Sequence, residues 1–436
     1  VVVLTAPGRW AAAVAIVALQ VLAAGSPVRA APARPRPAVT APSRAQASAA
    51  LRSAGVVPGI RSDEQAQLQA IGAAAGWRVT RGSGVTVGLL DSGVDPTVPD
   101  LTGSVTVGPD YTMGADPPGY RPPHLHGTYI ASLIAGHGSG PGDAAGIIGV
   151  APAATVLSVR VIPEDEEPGF AVYNASAAYD HTIGDGIRYA VDHGVSVINM
   201  SLGGEVPNRN LRAAVGYAIA RGVVVVAAAG NDAAGSGYTP YSYPASFPGV
   251  ISVAAAGANG RRAFFSDRNA SVVISAPGVN VIGAGPGGSY LQGSGTSPAS
   301  AFVAGVATLI RSRYPRLSPV LVEQAMVSSA SRRPAGGYSP DVGFGEVDAP
   351  AALSAAARLA AVAPETGLPA GAHFGPSPGP IQVVHHDTDR IGGFGVAGAV
   401  LALGGLVLLT WLIVRIKRFR SSQRKRGATS LPKSFT

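Results

Sequence analysis

Five short runs of apolar, mostly β-branched residues, at 85–90, 155–161, 195–200, 223–228 and 250–255, constrain this chain more than any other feature. Each is nearly continuous in apolar character, as in strands buried on both faces of a sheet. Segments with helical character separate and follow them, at 128–135, 182–193, 210–221 and 298–314. This alternation predicts an α/β fold over residues 77–360, with a doubly wound, mostly parallel sheet flanked by helices. Sites in such sheets form beyond the carboxyl ends of the strands. A body of roughly 300 residues buries enough surface to fold without cross-links. That matters here, because the 436 residues include no cysteine. The same absence excludes a thiol nucleophile, a Cys-ligated zinc site and a disulfide framework.

The formal charge of +8 does not describe this body. Arg415, Lys417, Arg418, Arg420, Arg424, Lys425, Arg426 and Lys433 lie at the C-terminal end with no acid among them, and they equal the whole excess. The body is mildly acidic, so no nucleic-acid surface is predicted. At the other end, residues 1–30 read as a secretory signal. Arg9 precedes an apolar run at 10–24, and Val28-Arg29-Ala30 offers small residues near a cleavage point. A retained anchor is the alternative, disfavoured by the shortness of the run. Residues 31–76 form a linker and N-terminal extension, Ala/Pro/Arg-rich at first, with a short helix at 62–75. This stretch is short for a separately folded pro-domain, and the extension is expected to pack on the body.

Beyond the body, residues 361–390 form a Pro/Gly-rich tether, and 391–414 carry no charge. A helix of that length, at about 1.5 Å per residue, crosses a hydrocarbon core of about 30 Å. A buried core helix is the alternative. The basic segment 415–436 directly after it predicts a cytoplasmic tail, a single-pass membrane anchor and an extracytoplasmic body.

Three short motifs fall where a site is expected. Asp91-Ser92-Gly93 closes the first strand, His126-Gly127-Thr128 opens a helix, and Gly295-Thr296-Ser297 leads into another. Asp, His and Ser are the parts of a serine nucleophile system. Ser297 attacks, His126 accepts and returns the proton, and Asp91 holds the tautomer of the imidazole. Pro298 suits the first helical position, which makes Ser297 the expected N-cap, at the positive end of the helix dipole. Asn231 follows a buried strand, and its amide can donate to an oxyanion. No cofactor is required for this chemistry. The chain shows no metal-ligand pattern, and structural calcium is assigned no site.

In order and flanking residues these motifs resemble the subtilisin family, the subtilases. The likeness runs from about Trp77 to Leu353 and includes GIIGVAP from Gly146, NMSLG from Asn199, Ala228–Asn231 and GTSPASA from Gly295. It implies an endopeptidase acting on polypeptides, with Asp91, His126 and Ser297 as the triad and Asn231 in the oxyanion hole. It also implies that Ser201-Leu202-Gly203 and Ala228-Ala229-Gly230 are extended segments that pair with substrate. Signal, body, tether, apolar helix and basic tail together are similar to the mycosins, membrane-anchored subtilases of type VII secretion. Two features depart from that pattern: the lack of cysteine, and Pro123-His124-Leu125 in place of an acidic Asp-Gly before the catalytic His.

Other groups read more plainly. His124 is expected in an exposed loop and Asp95 in a turn or cap. The acidic loop Glu164-Asp165-Glu166-Glu167 reads as a solvated insertion, with attraction of basic substrates or Ca²⁺ as alternatives. His385-His386 lacks further ligands. The alternative to an endopeptidase is a structural subunit of a membrane secretion complex whose proteolysis is secondary.

Overall fold

The computed structural model describes residues 52–53, 60–233, 237–362 and 401–416. Among these, seven strands make one sheet: β1 (Thr86–Asp91), β2 (Val105–Asp110), β3 (Thr155–Arg160), β4 (Val197–Met200), β5 (Val224–Ala228), β6 (Val250–Ala256) and β7 (Ile274–Pro277). Their order is β7-β6-β5-β4-β1-β3-β2, and every pairing is parallel. The five predicted strands are the five inner ones. The chain order turns around at β1, with β3 and β2 on one side and β4 to β7 on the other. A doubly wound sheet places its site at such a point.

The inner strands feed two cores because successive side chains point to opposite faces. Val87, Leu89, Val224 and Val226 enter one core, while Leu90, Val159, Val225 and Ala227 enter the other. Helices α1 (Leu125–Ala135) and α4 (Thr296–Arg313) cover the first face, and α2 (Thr182–Asp192) and α3 (Arg209–Ala220) the second. Helix α4 is buried without a break from Thr296 to Ile310. Its small residues permit this: a Cβ on Gly305 would stand 2.5 Å from Val150 Cβ. A helix surrounded on all sides by protein is a rigid mount for its first turn.

The described part of the N-terminal extension packs on the body. Arg52 and Ser53 pair antiparallel with Gln292 and Leu291. The expected helix at 62–75 is two pieces, Ile60–Ala70 and Ala73–Gly76, separated by Gly72 in the left-handed region at φ 67°. Arg61 donates to the carbonyls of Asp143 (2.9 Å), Ala145 (2.6 Å) and Gly146 (2.9 Å). Glu64 accepts from the Ile148 N–H at 3.0 Å. Burial pushes the Glu64 carboxyl up to about 8, against that hydrogen bond and the pull of Arg61.

Residues 1–363 and 364–436 are separate compact units. In the second, residues 401–416 are helical and exposed; 401–414 of these are the described part of the run at 391–414. Among the described residues no helix is long and apolar enough to cross a membrane. The signal at 1–30, the tether beyond residue 362 and the tail beyond residue 416 lie outside the described residues.

Candidate active site

Asp91 is the last residue of β1, so the strand carries its carboxylate to the carboxyl edge of the sheet. The carboxylate is fully buried. Its Oδ1 accepts from the Ser92 N–H at 2.7 Å and from His126 Nδ1 at 2.7 Å. An ionised carboxylate only accepts, so Nδ1 carries the proton and Nε2 is the basic nitrogen of the neutral ring. Burial pulls the His126 pKa down. The Asp91 carboxylate, with smaller help from Glu164 and Asp165, outweighs it and holds the imidazole above the usual histidine range.

The glycines of the first two motifs explain why both motifs are needed together. A Cβ on Gly127 would lie 2.0 Å from the Gly93 carbonyl oxygen, so the two backbones touch where side chains would hold them apart. Gly93 itself sits at φ 95°, and a Cβ there would run into the His124 ring at 2.3 Å. His124 is therefore docked, contrary to the exposed loop expected of it. It occupies the left-handed region at φ 54°, and its Nδ1 donates to the Ser92 carbonyl at 2.8 Å. Asp95 is a turn residue as expected, accepting from the Thr97 N–H and hydroxyl at 2.9 and 2.6 Å.

Ser297, the expected N-cap, is instead the second residue of α4, two places inside the N-cap Gly295. The reason lies in Asn231. Its Oδ1 accepts from the Thr296 N–H at 2.8 Å and from Thr296 Oγ1 at 3.0 Å, capping from a distant loop a helix that starts two residues earlier than expected. Pro298 then sits third, where its missing N–H would have had no intrahelical partner. The Ser297 N–H remains at the positive end of the dipole. Pinning Oδ1 also fixes the amide orientation, so Nδ2 is the outward donor. Thr296, unremarked within its motif, sets that orientation.

Ser297 Oγ donates to the Ser201 carbonyl at 3.4 Å. Ser201 Oγ in turn donates to the Ser297 carbonyl at 3.2 Å and receives from Asn199 Nδ2 at 3.0 Å. Ser201 thus buttresses the nucleophile turn, and buried Leu202 and half-buried Gly203 continue the chain past β4. The segment Ala228-Ala229-Gly230 runs from the end of β5 into the Asn231 loop. The Ala229 N–H is bound to Val253 O at 3.0 Å and the Gly230 N–H to Thr296 Oγ1 at 3.2 Å.

The acidic loop is not solvated. Glu164 and Glu167 are buried, and of the four acids only Glu166 is exposed. Glu164 Oε1 accepts from Ser92 Oγ at 2.7 Å and from the His126 N–H at 2.7 Å. Arg160, at the end of β3, pairs with Glu167, with Asp110 at 2.7 Å and with Asp116 at 3.2 Å. Four charges in a row read as surface; the strand order that lays β3 against β1 turns Glu164 and Glu167 inward.

An Asp–His pair and a helix-mounted serine at the carboxyl edge of a doubly wound sheet are the parts of a serine nucleophile system. Residues 82–345 match the model of the subtilase family, peptidase S8, and this chain belongs to that family. It is 38% identical over 252 residues to thermitase of Thermoactinomyces vulgaris, across 58% of this chain and 84% of thermitase. It is 35% identical over 250 residues to subtilisin E of Bacillus subtilis, across 57% of this chain. The chain spans 61% of the length of subtilisin E. The solved structure of the MycP3 protease from the type VII (ESX-3) secretion system is similar at 29% identity and a TM-score of 0.57, covering 75% of this chain and 99% of that one.

Proposed function

We propose that this chain is a serine endopeptidase using Asp91, His126 and Ser297. The bond of 2.7 Å between His126 Nδ1 and Asp91 carries the reading, because it leaves Nε2 as the basic nitrogen that can take a proton from the helix-mounted Ser297, whose Oγ itself bonds the Ser201 carbonyl at 3.4 Å. In the reaction, Nε2 takes the Ser297 hydroxyl proton as Oγ attacks the peptide carbonyl. Asp91 stabilises the imidazolium that forms. The Ser297 N–H and Asn231 Nδ2 receive the oxyanion. His126 then protonates the leaving amine, and water hydrolyses the acyl-enzyme by the same steps reversed.

The anchored topology belongs to the same reading: export through residues 1–30, a span at 391–414, and a cytoplasmic tail at 415–436. The uncharged run and the cations after it support this. The likeness to MycP3 favours a place beside a type VII secretion system, with exported polypeptides as substrates. The same likeness favours a second reading, a structural subunit of a secretion complex whose proteolysis is secondary.

Membranes carrying the full chain should cleave an unfolded protein substrate, and membranes carrying Ser297→Ala should not. Equal cleavage by both would remove the peptidase reading. A membrane complex that persists unchanged with Ser297→Ala would support the structural role.

A further inference from the structure

The buried carboxylate of Glu164 touches neither the imidazole nor Ser297, yet it grips both elements that carry the Asp91–His126 pair. Its Oε1 accepts from Ser92 Oγ on one side and from the His126 N–H on the other, each at 2.7 Å. Ser92 Oγ also accepts from the Gly127 N–H at 3.0 Å. One carboxylate oxygen and one hydroxyl thus close a ring through His126 itself and through Ser92 and Gly127, the chain neighbours of Asp91 and His126. The two N–H groups belong to the first turn of α1, where no intrahelical acceptor exists. The N-cap His124 makes no side-chain cap bond, so Glu164 and Ser92 supply the caps from elsewhere in the chain. A negative charge at that helix end is also favoured by the dipole.

The loop holding Glu164 is itself anchored beside Asp91. Arg160 is the register partner of Asp91 across β1 and β3. It holds Glu167, whose other oxygen accepts from the Glu164 N–H at 3.1 Å. The path from Arg160 through Glu167 to Glu164 returns to His126 within one turn of chain.

We propose that Glu164 is a positioning residue that locks the Ser92 turn to the start of α1 and so fixes His126 against Asp91. This rests on the serine peptidase reading above. The test uses the full chain as wild type, Ser297→Ala, Glu164→Ala and Glu164→Gln, with folding checked by thermal denaturation. Each is inactivated with a fluorophosphonate, and the maximal rate is separated from the half-saturating concentration. Glutamine keeps an oxygen that can accept both bonds, so Glu164→Gln should react within about threefold of wild type. Glu164→Ala should lose about tenfold to a hundredfold in maximal rate at unchanged half-saturation, the cost of misplacing a catalytic group by about 1 Å. A folded Glu164→Ala within about threefold of wild type, or a Glu164→Gln as slow as Glu164→Ala, would overturn the proposal. If Glu164→Ala does not fold, Ser92→Ala cuts the ring on the Asp91 side. A loss of about tenfold or more there supports the proposal, and a rate within about threefold of wild type overturns it. A folded wild type that is not labelled at all would overturn the peptidase reading and this proposal with it, whereas a labelled wild type matched by Glu164→Ala overturns this proposal alone.

Discussion

Replacing Asn231 by Asp or by Ala separates two jobs that its amide performs at once. Oδ1 caps α4 through Thr296, with bonds of 2.8 and 3.0 Å, while Nδ2 is the donor that the proposed mechanism gives to the oxyanion. A side-chain donor to an oxyanion contributes about 3 kcal/mol to the barrier, or roughly 150-fold in kcat. A helix cap contributes about 1 kcal/mol to stability, which for a body of this size shifts Tm by roughly 2–4 °C. Asn231→Ala should therefore lose both, with kcat down about 150-fold, KM nearly unchanged and Tm lower by a few degrees. Asn231→Asp keeps the acceptor oxygen and loses the donor. It should show at least the same loss in kcat while retaining most of the Tm. Hydrolysis of a chromogenic acyl ester gives kcat and KM, and calorimetry gives Tm. An Asn231→Asp enzyme with kcat within about threefold of wild type would refute the assignment of Nδ2 to the oxyanion.

Three further outcomes follow from the same geometry. Gly127→Ala forces a Cβ to 2.0 Å from the Gly93 carbonyl; activity should fall by more than about a hundredfold, measured with the same ester, because the two motifs must move apart. His126 must be neutral to act, and its pKa lies above the histidine value of 6.5. Activity should thus fall as pH drops, with a midpoint above 6.5, and the residual activity of Asp91→Asn should show a lower midpoint because the main charge raising that pKa is gone. Glu64 has a carboxyl raised from 4.5 to about 8, so its contribution to stability is fully present below 4.5 and is lost as pH rises through 8. Glu64→Gln removes that loss, and its Tm should rise relative to wild type more at pH 9 than at pH 4.

The inner strands were legible in the sequence because burial on both faces demands unbroken apolar runs. The two edge strands were not. β2 is half-exposed and contains Gly108-Pro109, while β7 is four residues ending in Pro277. Asp91, His126 and Ser297 could be read because each sits on a short motif at an element's end, where glycines mark close approach. Glu164 could not, since a run of four acids resembles surface until Arg160, Ser92 and His126 are known to surround it. The Ser297 position shifted by two for a similar reason: the cap comes from Asn231, 65 residues away from Thr296, and local signals at Pro298 cannot show it. Sequence periodicity finds the elements; strand order decides which loops meet.

Labelling of the full chain by a fluorophosphonate, beside Ser297→Ala, tests the central claim most directly. The account predicts rapid covalent labelling of the wild type, none of Ser297→Ala, and a rate that falls on the acid side as His126 protonates. A folded wild type that stays unlabelled, or a Ser297→Ala chain that labels as fast, would contradict it.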